Sequence, residues 1–189
     1  MNKILSLDNK LIDQIAAGEV IDRPASVVKE LIENSVDSGA NDISISILKG
    51  GHDLIQVSDN GCGMNIVDLE MSFRRHATSK INKLEDLNSI STLGFRGEAL
   101  PSIASVSMFT AISCDDTGDA NEIKINGGIQ ESLLPIASNL GTICKVKNLF
   151  YNTPARRKFL KKPESEQAII NSIVRIYMLS KPNISFKLF

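Results

Sequence analysis

The stretch PASVVKELIENSVDS, residues 24–38, decides the fold and contains the first candidate site residues. We predict a helix over residues 24–38, because apolar side chains recur there at helical spacing. Pro24 suits the first helical turn and Gly39 the position just after a helix, with Asp22 as the candidate N-cap. The apolar stripe that should face the core consists of Val27, Val28, Leu31 and Ile32.

The edge of this buried face is polar. Glu30, Asn34 and Asp37 lie within about 60° of one another on a helical projection. The amide oxygen of Asn34 is a ligand type that Mg²⁺ accepts, and Glu30, one turn away, could deprotonate a water molecule. A solvated polar edge on an amphipathic helix explains the same pattern, and this helix alone leaves both interpretations open.

The rest of the chain predicts an α+β fold, a two-layer sandwich with a mixed, mostly antiparallel sheet and helices on one face. Residues 43–48 alternate Ile and Ser, and with residues 54–58 they predict a hairpin. Further helices are expected over residues 8–19, 66–73, 97–105, 153–160 and 165–179. Further strands are expected over residues 108–113, 122–125, 129–134, 142–148 and 184–189.

A second candidate site follows the predicted hairpin. Asp59 ends a strand, and Gly61 and Gly63 follow it. The carboxylate could accept a hydrogen bond from an exocyclic amine such as that of adenine, and glycines let a flat base approach the backbone. A β-turn that closes the strand is the structural alternative, since Asn-Gly is a strong turn dipeptide.

Two glycines precede the predicted helix over residues 97–105. Gly94, Gly97 and the cationic Arg96 could bind phosphates through backbone N–H groups, although no Gly-Lys-Ser/Thr of a P-loop follows. The segment HATSK, residues 76–80, adds hydroxyls and an ammonium to the long polar stretch 74–96, which we interpret as a lid. Such glycine-rich turns are also common as purely structural features.

Bulk composition excludes several classes of protein. The 189 residues are 42% hydrophobic and 23% charged, and the net charge of -1 supplies no general field for nucleic acid. No apolar run approaches the roughly 20 residues of a membrane span, so a cytoplasmic protein without membrane contact is expected. No CxxC pair predicts zinc or a disulfide framework, and the thiols are expected to be inert in Cys62, Cys114 and Cys144.

The motifs taken together resemble the ATPase superfamily of DNA gyrase B, the heat-shock chaperone of the same fold, histidine kinases and MutL. The sequence order is Glu30-x-x-x-Asn34, Asp59-x-Gly61-x-Gly63, Gly94-x-x-Gly97 and Gly141-Thr142. The exact residues within and around these motifs most closely resemble the N-terminal ATP-binding region of the MutL family of DNA mismatch repair proteins. It rests on IAAGEV (15–20), RPASVVKE (23–30), RHATSK (75–80), GFRGEAL (94–100) and LFYNTPAR (149–156).

The resemblance implies a Bergerat-type ATP-binding fold and a role for each matched residue. Glu30 would be the general base, Asn34 the Mg²⁺ ligand, Asp59 the partner of the adenine amino group, and Thr142 a support beside Asp59. The phosphate lid would comprise Thr78, Ser79, Lys80, Gly94, Phe95, Arg96, Gly97, Glu98, Ala99 and Leu100. Positioning and charge neutralisation of this kind supply most of the catalysis in phosphoryl transfer.

The resemblance also implies what the full protein does. It would bind ATP, release ADP, dimerise on ATP binding, and act with mismatched DNA and other repair proteins. MutL chains continue into a second subdomain that supplies a lysine to the γ-phosphate, so we expect residues 1–189 to form a single ATP-binding domain and a fragment with weak hydrolysis. A nucleotide-binding module without significant turnover is the alternative function, and a DNA-phosphate patch at residues 156–162 is possible beside a plain cationic helix end.

Overall fold

The computed structural model describes residues 8–80, 92–94 and 97–189. Six α-helices are present in this part of the chain: α1 Asn9–Val20, α2 Pro24–Asp37, α3 Ile66–Met71, α4 Ala99–Ser105, α5 Pro154–Phe159 and α6 Pro163–Ser180. Each corresponds to a helix predicted from the sequence, with ends that differ by one or two residues. The predicted lid over residues 74–96 lies partly outside the described residues, as do the site candidates Phe95 and Arg96.

Seven strands form one mixed sheet. They are β1 Asp42–Leu48, β2 Leu54–Asp59, β3 Met108–Cys114, β4 Ala120–Asn126, β5 Ile129–Ile136, β6 Gly141–Lys147 and β7 Ser185–Leu188. The spatial order is β5-β4-β3-β6-β2-β1-β7, and every neighbouring pair is antiparallel except β1 with β7. The predicted mixed, mostly antiparallel sheet is therefore confirmed.

The hairpin of β1 and β2 shows why one face of the sheet is covered. Ile43, Ile45 and Ile47 are buried, while the serines between them are only half-buried. Ile43 lies opposite Asp59 in the antiparallel register, which places the end of β2 beside the start of β1. Because side chains alternate between faces, the apolar set of β1 meets the helical layer.

Helix α2 packs its apolar stripe into the core, as predicted. Val27, Val28 and Ile32 have no exposed surface and Leu31 has 2%. The predicted N-cap is wrong: Arg23 is the capping residue, without a side-chain cap, and Asp22 instead accepts hydrogen bonds from the side chains of Ser26 and Arg23. Asp22 lies one position too early for its carboxylate to act as the cap.

Helix α6 buries the stripe that its sequence predicted. Ile170 and Val174 are fully buried, and Ile169, Ile173 and Tyr177 pack partly against the same core. Within the described part of the chain, no helix has the length and apolar character needed to cross a membrane. Helix α6 instead joins the core that α2 also lines, which brings these two helices together.

The same substitution, isoleucine to alanine, should have a large effect on stability on the buried face of α6 and a small effect on its exposed face. Ile170→Ala should lower the free energy of unfolding by about 2–5 kcal/mol, because it removes buried methyl groups and leaves a cavity. Ile176→Ala is the matched control, since Ile176 lies on the same helix with 63% exposure, and its change should stay within about 0.5 kcal/mol. Urea unfolding of both variants measures the difference, and equal losses would contradict the assigned faces.

Candidate nucleotide site

The carboxylate of Asp59 is held by three hydrogen-bond donors from three parts of the fold. Oδ2 accepts from the Ser35 hydroxyl at 2.7 Å, and Oδ1 accepts from the backbone N–H groups of Gly61 at 3.0 Å and Thr142 at 3.3 Å. A carboxylate offers about four acceptor positions. One position therefore remains for a further donor, as an exocyclic amine would require.

Ser35 is a site residue that sequence reasoning missed. It lies in the middle of α2 with 3% exposure, and its hydroxyl also lies 3.1 Å from the Leu31 carbonyl. Serine is a mediocre helix former because its hydroxyl competes for backbone groups. The signal available in the sequence was a serine in the middle of a predicted helix, next to the candidate Asn34. Its partner could not be identified in this way, because Asp59 is 24 residues away.

The glycines after Asp59 are required by close packing. A Cβ on Gly61 would lie 1.9 Å from the Ser38 hydroxyl oxygen, and one on Gly63 would lie 1.8 Å from the Cys114 carbonyl oxygen. Gly63 also has a φ of +65°, in the left-handed region. These glycines let the turn settle between α2 and β3.

A hydroxyl pair continues the wall beside Asp59. Thr142 Oγ1 lies 2.8 Å from Ser113 Oγ, which in turn accepts the Met64 N–H at 2.9 Å. Thr142 is the residue paired with Asp59 in the register of β2 and β6, and its backbone N–H also donates to the Asp59 carboxylate. The structure brings together the predicted candidates Asp59, Gly61 and Thr142.

A lysine ammonium lies on the polar edge of α2. Lys80 Nζ donates to Asp37 Oδ2 at 2.5 Å and to Asn34 Oδ1 at 3.1 Å. Asp37 has a side-chain exposure of 6%, and it also accepts the N–H groups of Leu93 at 2.9 Å and Gly94 at 3.2 Å. The structure therefore joins Lys80, a predicted lid residue, to the predicted metal ligand Asn34. Gly94, a second lid residue, contacts the neighbouring Asp37.

The donor set on this edge fits a magnesium ion that is bound mainly through phosphates and water. No group of three or more His, Cys, Asp or Glu side chains suited to a metal occurs among the described residues. Mg²⁺ commonly takes only one or two protein oxygens and keeps several waters. The Lys80 ammonium already lies against the oxygens of Asn34 and Asp37, so this pair does accept a cation.

The other described lid candidates lie in two segments, residues 78–79 and residues 97–100, and the residues just before Thr78 contact the second segment. A Cβ on Gly97 would come within 2.3 Å of the Ala77 carbonyl oxygen, so this segment packs on the turn that precedes Thr78. Thr78 Oγ1 accepts the Lys80 N–H at 3.2 Å, Ser79 is exposed, and Glu98 Oε1 lies 3.7 Å from His76 Nδ1. Ala99 begins α4, and Leu100 packs partly on the core.

Glu30 lies in a second charged cluster that joins α2 to α6. Lys29 Nζ lies 3.3 Å from Glu30 Oε1 and 2.9 Å from Glu33 Oε2. Tyr177 on α6 donates its hydroxyl to Glu33 Oε1 at 2.6 Å. Lys29, Glu33 and Tyr177 are further residues that sequence reasoning missed, because the motifs assign no role to them.

Proton affinities in this cluster follow from its charges. Burial acts to lower the pKa of Lys29, but the hydrogen bond to Glu33 and the charges of Glu30 and Glu33 outweigh it, so the pKa is raised. Burial and the hydrogen bond to the Glu33 carboxylate both raise the pKa of Tyr177. The phenol is therefore held neutral, as a donor to Glu33.

The three cysteines are free, as expected from their spacing. Cys62 is exposed, while Cys114 and Cys144 are buried. Burial, reinforced by the nearby Asp59 carboxylate, raises the pKa of the Cys144 thiol to about 12. A neutral, buried thiol is a poor nucleophile, which fits the expected inert role of Cys144.

Two surface cavities lie away from these residues. One of about 240 Å³ lies beside Phe73, Pro101 and Ile125, and one of about 350 Å³ lies beside Asn65, Gly118 and Pro135. Neither is lined by a described candidate site residue. On the α2 edge, Lys80, Leu93 and Gly94 all donate hydrogen bonds to Asp37.

Comparisons with known proteins agree with these motifs. The family described as histidine kinase-, DNA gyrase B-, and HSP90-like ATPase matches residues 22–133. The DNA mismatch repair protein MutL of Desulforamulus reducens is 49% identical over 189 residues, covering 100% of this chain and 30% of the relative. MutL of Actinobacillus pleuropneumoniae serotype 3 is 53% identical over 192 residues, covering 100% of this chain and 31% of the relative.

Solved structures give the same result. The Aquifex aeolicus MutL ATPase domain complexed with ADP has a TM-score of 0.71 and 34% identity, over 90% of this chain and 60% of that one. The N-terminal domain of a DNA repair protein has a TM-score of 0.79 and 30% identity, over 94% of this chain and 51% of that one. The resemblance inferred from the motifs is confirmed, and the chain spans about 30% of the length of the curated relatives.

The Tyr177–Glu33 contact predicts a spectroscopic signature. The chain has two tyrosines and no tryptophan, so in a Tyr151→Phe background the phenolate absorbance reports Tyr177 alone. Glu33→Gln keeps an acceptor but removes the charge, and the phenolate should then form at lower pH. An unchanged titration curve would contradict the contact, provided that circular dichroism shows both variants folded.

The Tyr177–Glu33 contact also determines how the stability of the fold should change with pH. A folded-state pKa raised above the usual 10.0 means that the folded chain holds the phenol proton more tightly than the unfolded chain. The contribution to stability is then complete below pH 10 and is lost as the pH rises through the folded-state pKa. Thermal unfolding above pH 10 should therefore be less pH-dependent in Tyr177→Phe than in the unsubstituted chain.

Proposed function

The chain belongs to the family of histidine kinase-, DNA gyrase B- and HSP90-like ATPases, and on this premise we propose that it binds Mg-ATP and hydrolyses it slowly, as the conformational switch of a DNA mismatch repair protein. One observation carries the proposal. Helix α2 supplies Glu30 and Asn34 from its polar edge and binds Asp59 through Ser35. A candidate base, a candidate metal ligand and a candidate adenine partner thus belong to one rigid unit.

Asp59 is suited to recognise adenine. Its three fixed donors orient the carboxylate and leave it able to accept one further hydrogen bond. The 6-amino group of adenine is a donor, whereas the 6-oxo group of guanine is an acceptor and would face the carboxylate unfavourably. Thr142 supports this end of the site through its N–H to Asp59.

Asn34 would hold the magnesium ion, which when bound neutralises phosphate charge. Lys80 already lies against Asn34 and Asp37, so its ammonium is within reach of phosphates that bind along this edge. Thr78, Ser79, Gly94 and the start of α4 would complete the lid, together with Phe95 and Arg96. Backbone N–H groups and cationic side chains are the usual protein partners of phosphate oxygens.

Glu30 would act as the general base. Its side chain is 24% exposed, so water can reach the carboxylate. In hydrolysis the carboxylate would take a proton from the attacking water as the oxygen bonds to the terminal phosphorus and the bond to the ADP oxygen breaks. Proton transfer to a positioned side chain typically contributes roughly 10²- to 10⁴-fold in rate.

The wider role belongs to the whole protein. Mismatched DNA, other repair proteins and dimerisation on ATP binding are proposed because the similar relatives are DNA mismatch repair proteins. Residues 1–189 would act as the nucleotide-binding part of such a protein in the cytoplasm. Nucleotide binding without turnover is the second candidate, and the experiments below separate the two.

Glu30→Ala should abolish turnover but preserve binding. We expect phosphate release to fall by roughly 10²-fold or more, while calorimetry with a non-hydrolysable ATP analogue gives an unchanged affinity. Glu164→Ala, at an exposed acid on α6, is the matched control and should behave like the unsubstituted chain. Equal release rates for Glu30→Ala and the unsubstituted chain would refute the base, and binding without any release would favour the second candidate.

Asn34→Ala should remove Mg-ATP binding itself, because it deletes the oxygen that would hold the ion. In calorimetry with Mg²⁺ and the ATP analogue, we expect the heat of binding to disappear. Asn171→Ala, on the helix α6 that carries no proposed ligand, controls for loss of an amide side chain. Affinity retained in Asn34→Ala would exclude Asn34 as the metal ligand.

Asp59→Asn should change base preference. Loss of a charged acceptor should weaken ATP binding by about tenfold or more, and the Asn amide can donate to a 6-oxo group. The ratio of ATP to GTP affinity should therefore fall. Asp116→Asn, at an exposed position, is the control, and an unchanged ratio in Asp59→Asn would rule out its contact with the base.

A further inference from the structure

We propose that Lys29, Glu33 and Tyr177 form a positioning network that holds the Glu30 carboxylate in place and links it to α6. The proposal rests on the role of Glu30 as general base proposed above. The network consists of three contacts in series: Tyr177 to Glu33, Glu33 to Lys29, and Lys29 to Glu30. None of these three residues is among the candidate site residues of the sequence analysis.

Lys29 is the only side chain among the described residues that hydrogen-bonds Glu30. An ammonium has three donors and can serve two carboxylates at once. Lys29 lies closer to Glu33, at 2.9 Å, than to Glu30, at 3.3 Å. The lysine is therefore anchored on Glu33 and restrains Glu30, rather than being held by it.

Glu33 is an effective anchor because it is buried and both of its carboxylate oxygens are hydrogen-bonded. Its exposure is 8%, and each of its two oxygens has one partner, Tyr177 at 2.6 Å and Lys29 at 2.9 Å. A buried carboxylate is costly unless it is hydrogen-bonded, so this arrangement resists rearrangement. Glu33 and Lys29 are four residues apart on α2, which places them on one face of the helix.

Tyr177 connects the network to a distant part of the chain. It is 144 residues from Glu33, and its helix is fixed in the core by Ile170 and Val174. The charges of Glu30 and Asp37 contribute to its raised pKa, which agrees with its place beside the polar edge of α2. A shift of α6 would move the phenol, and through Glu33 and Lys29 the candidate base.

The effect on catalysis should be positional and modest. The Lys29 side chain is 47% exposed, so solvent weakens its Coulomb attraction to Glu30. A restrained carboxylate nevertheless spends more time where it can meet the attacking water. Loss of the restraint should lower turnover by about three- to fivefold, the scale expected of a partly exposed ion pair.

The test compares single-turnover phosphate release and analogue binding in Lys29→Met, Tyr177→Phe and the unsubstituted 189-residue chain. We expect release to slow by about three- to fivefold in both variants, with an unchanged affinity. Lys29→Arg should restore most of the rate, because it keeps the cation. Tyr151→Phe is the matched control: it loses a hydroxyl that donates to Asn126 and should keep the full rate.

A double-mutant cycle separates positioning from a general structural effect. Lys29→Met should cause no further loss in a Glu30→Ala background, and Lys29→Met with Tyr177→Phe should be no slower than Lys29→Met alone. A structural role would slow release in every background and weaken analogue binding as well. Either of those results would overturn the network.

The outcomes also distinguish this inference from the proposed function. Full rates in Lys29→Met and Tyr177→Phe, beside an inactive Glu30→Ala, would overturn the network and leave the base intact. Equal rates in Glu30→Ala and the unsubstituted chain would overturn both. A crystal structure of Tyr177→Phe supplies a readout without turnover: Lys29 should leave Glu30, and an unchanged Lys29–Glu30 contact would overturn the network.

Discussion

Burial of one face of α2 is the constraint on which the rest of the site depends. Val27, Val28 and Ile32 are fully enclosed, and at roughly 25 cal/mol per Å² of apolar surface their burial fixes the rotation of the helix. Once that face is fixed, Glu30, Asn34 and Asp37 must lie along its polar edge. The side chains that α2 contributes to the site are therefore positioned by packing.

Hydrogen bonds then join this helix to the sheet and to α6. Ser35 binds Asp59 at the end of β2, and Glu33 binds Tyr177 on α6. Residues 33 and 35 are two positions apart, so they point to different sides of the helix. One helix thereby connects the adenine end of the proposed site with the edge that carries the candidate base.

Charge balance explains the arrangement of Lys80. Helix α2 carries three acidic side chains, Glu30, Glu33 and Asp37, in a chain whose net charge is only -1. Lys29 lies against Glu30 and Glu33, and Lys80 lies against Asp37. Each lysine offsets local negative charge that would otherwise disfavour the approach of an anionic nucleotide.

Patterns among neighbouring residues in the sequence determined the secondary structure and the family of this protein. Helical and strand periodicity in the sequence predicted the described helices and strands, and the order of the motifs predicted the family, because both are properties of neighbouring residues. The prediction of Asp22 as the N-cap was wrong because the capping position is defined by the backbone conformation of a single residue, and the type of residue does not determine that conformation. The contacts of Ser35 with Asp59, Lys80 with Asp37 and Tyr177 with Glu33 were decided only by the tertiary structure. These contacts span 24, 43 and 144 residues, and a partner at such distance is chosen by how the layers pack, which no periodicity along the chain encodes.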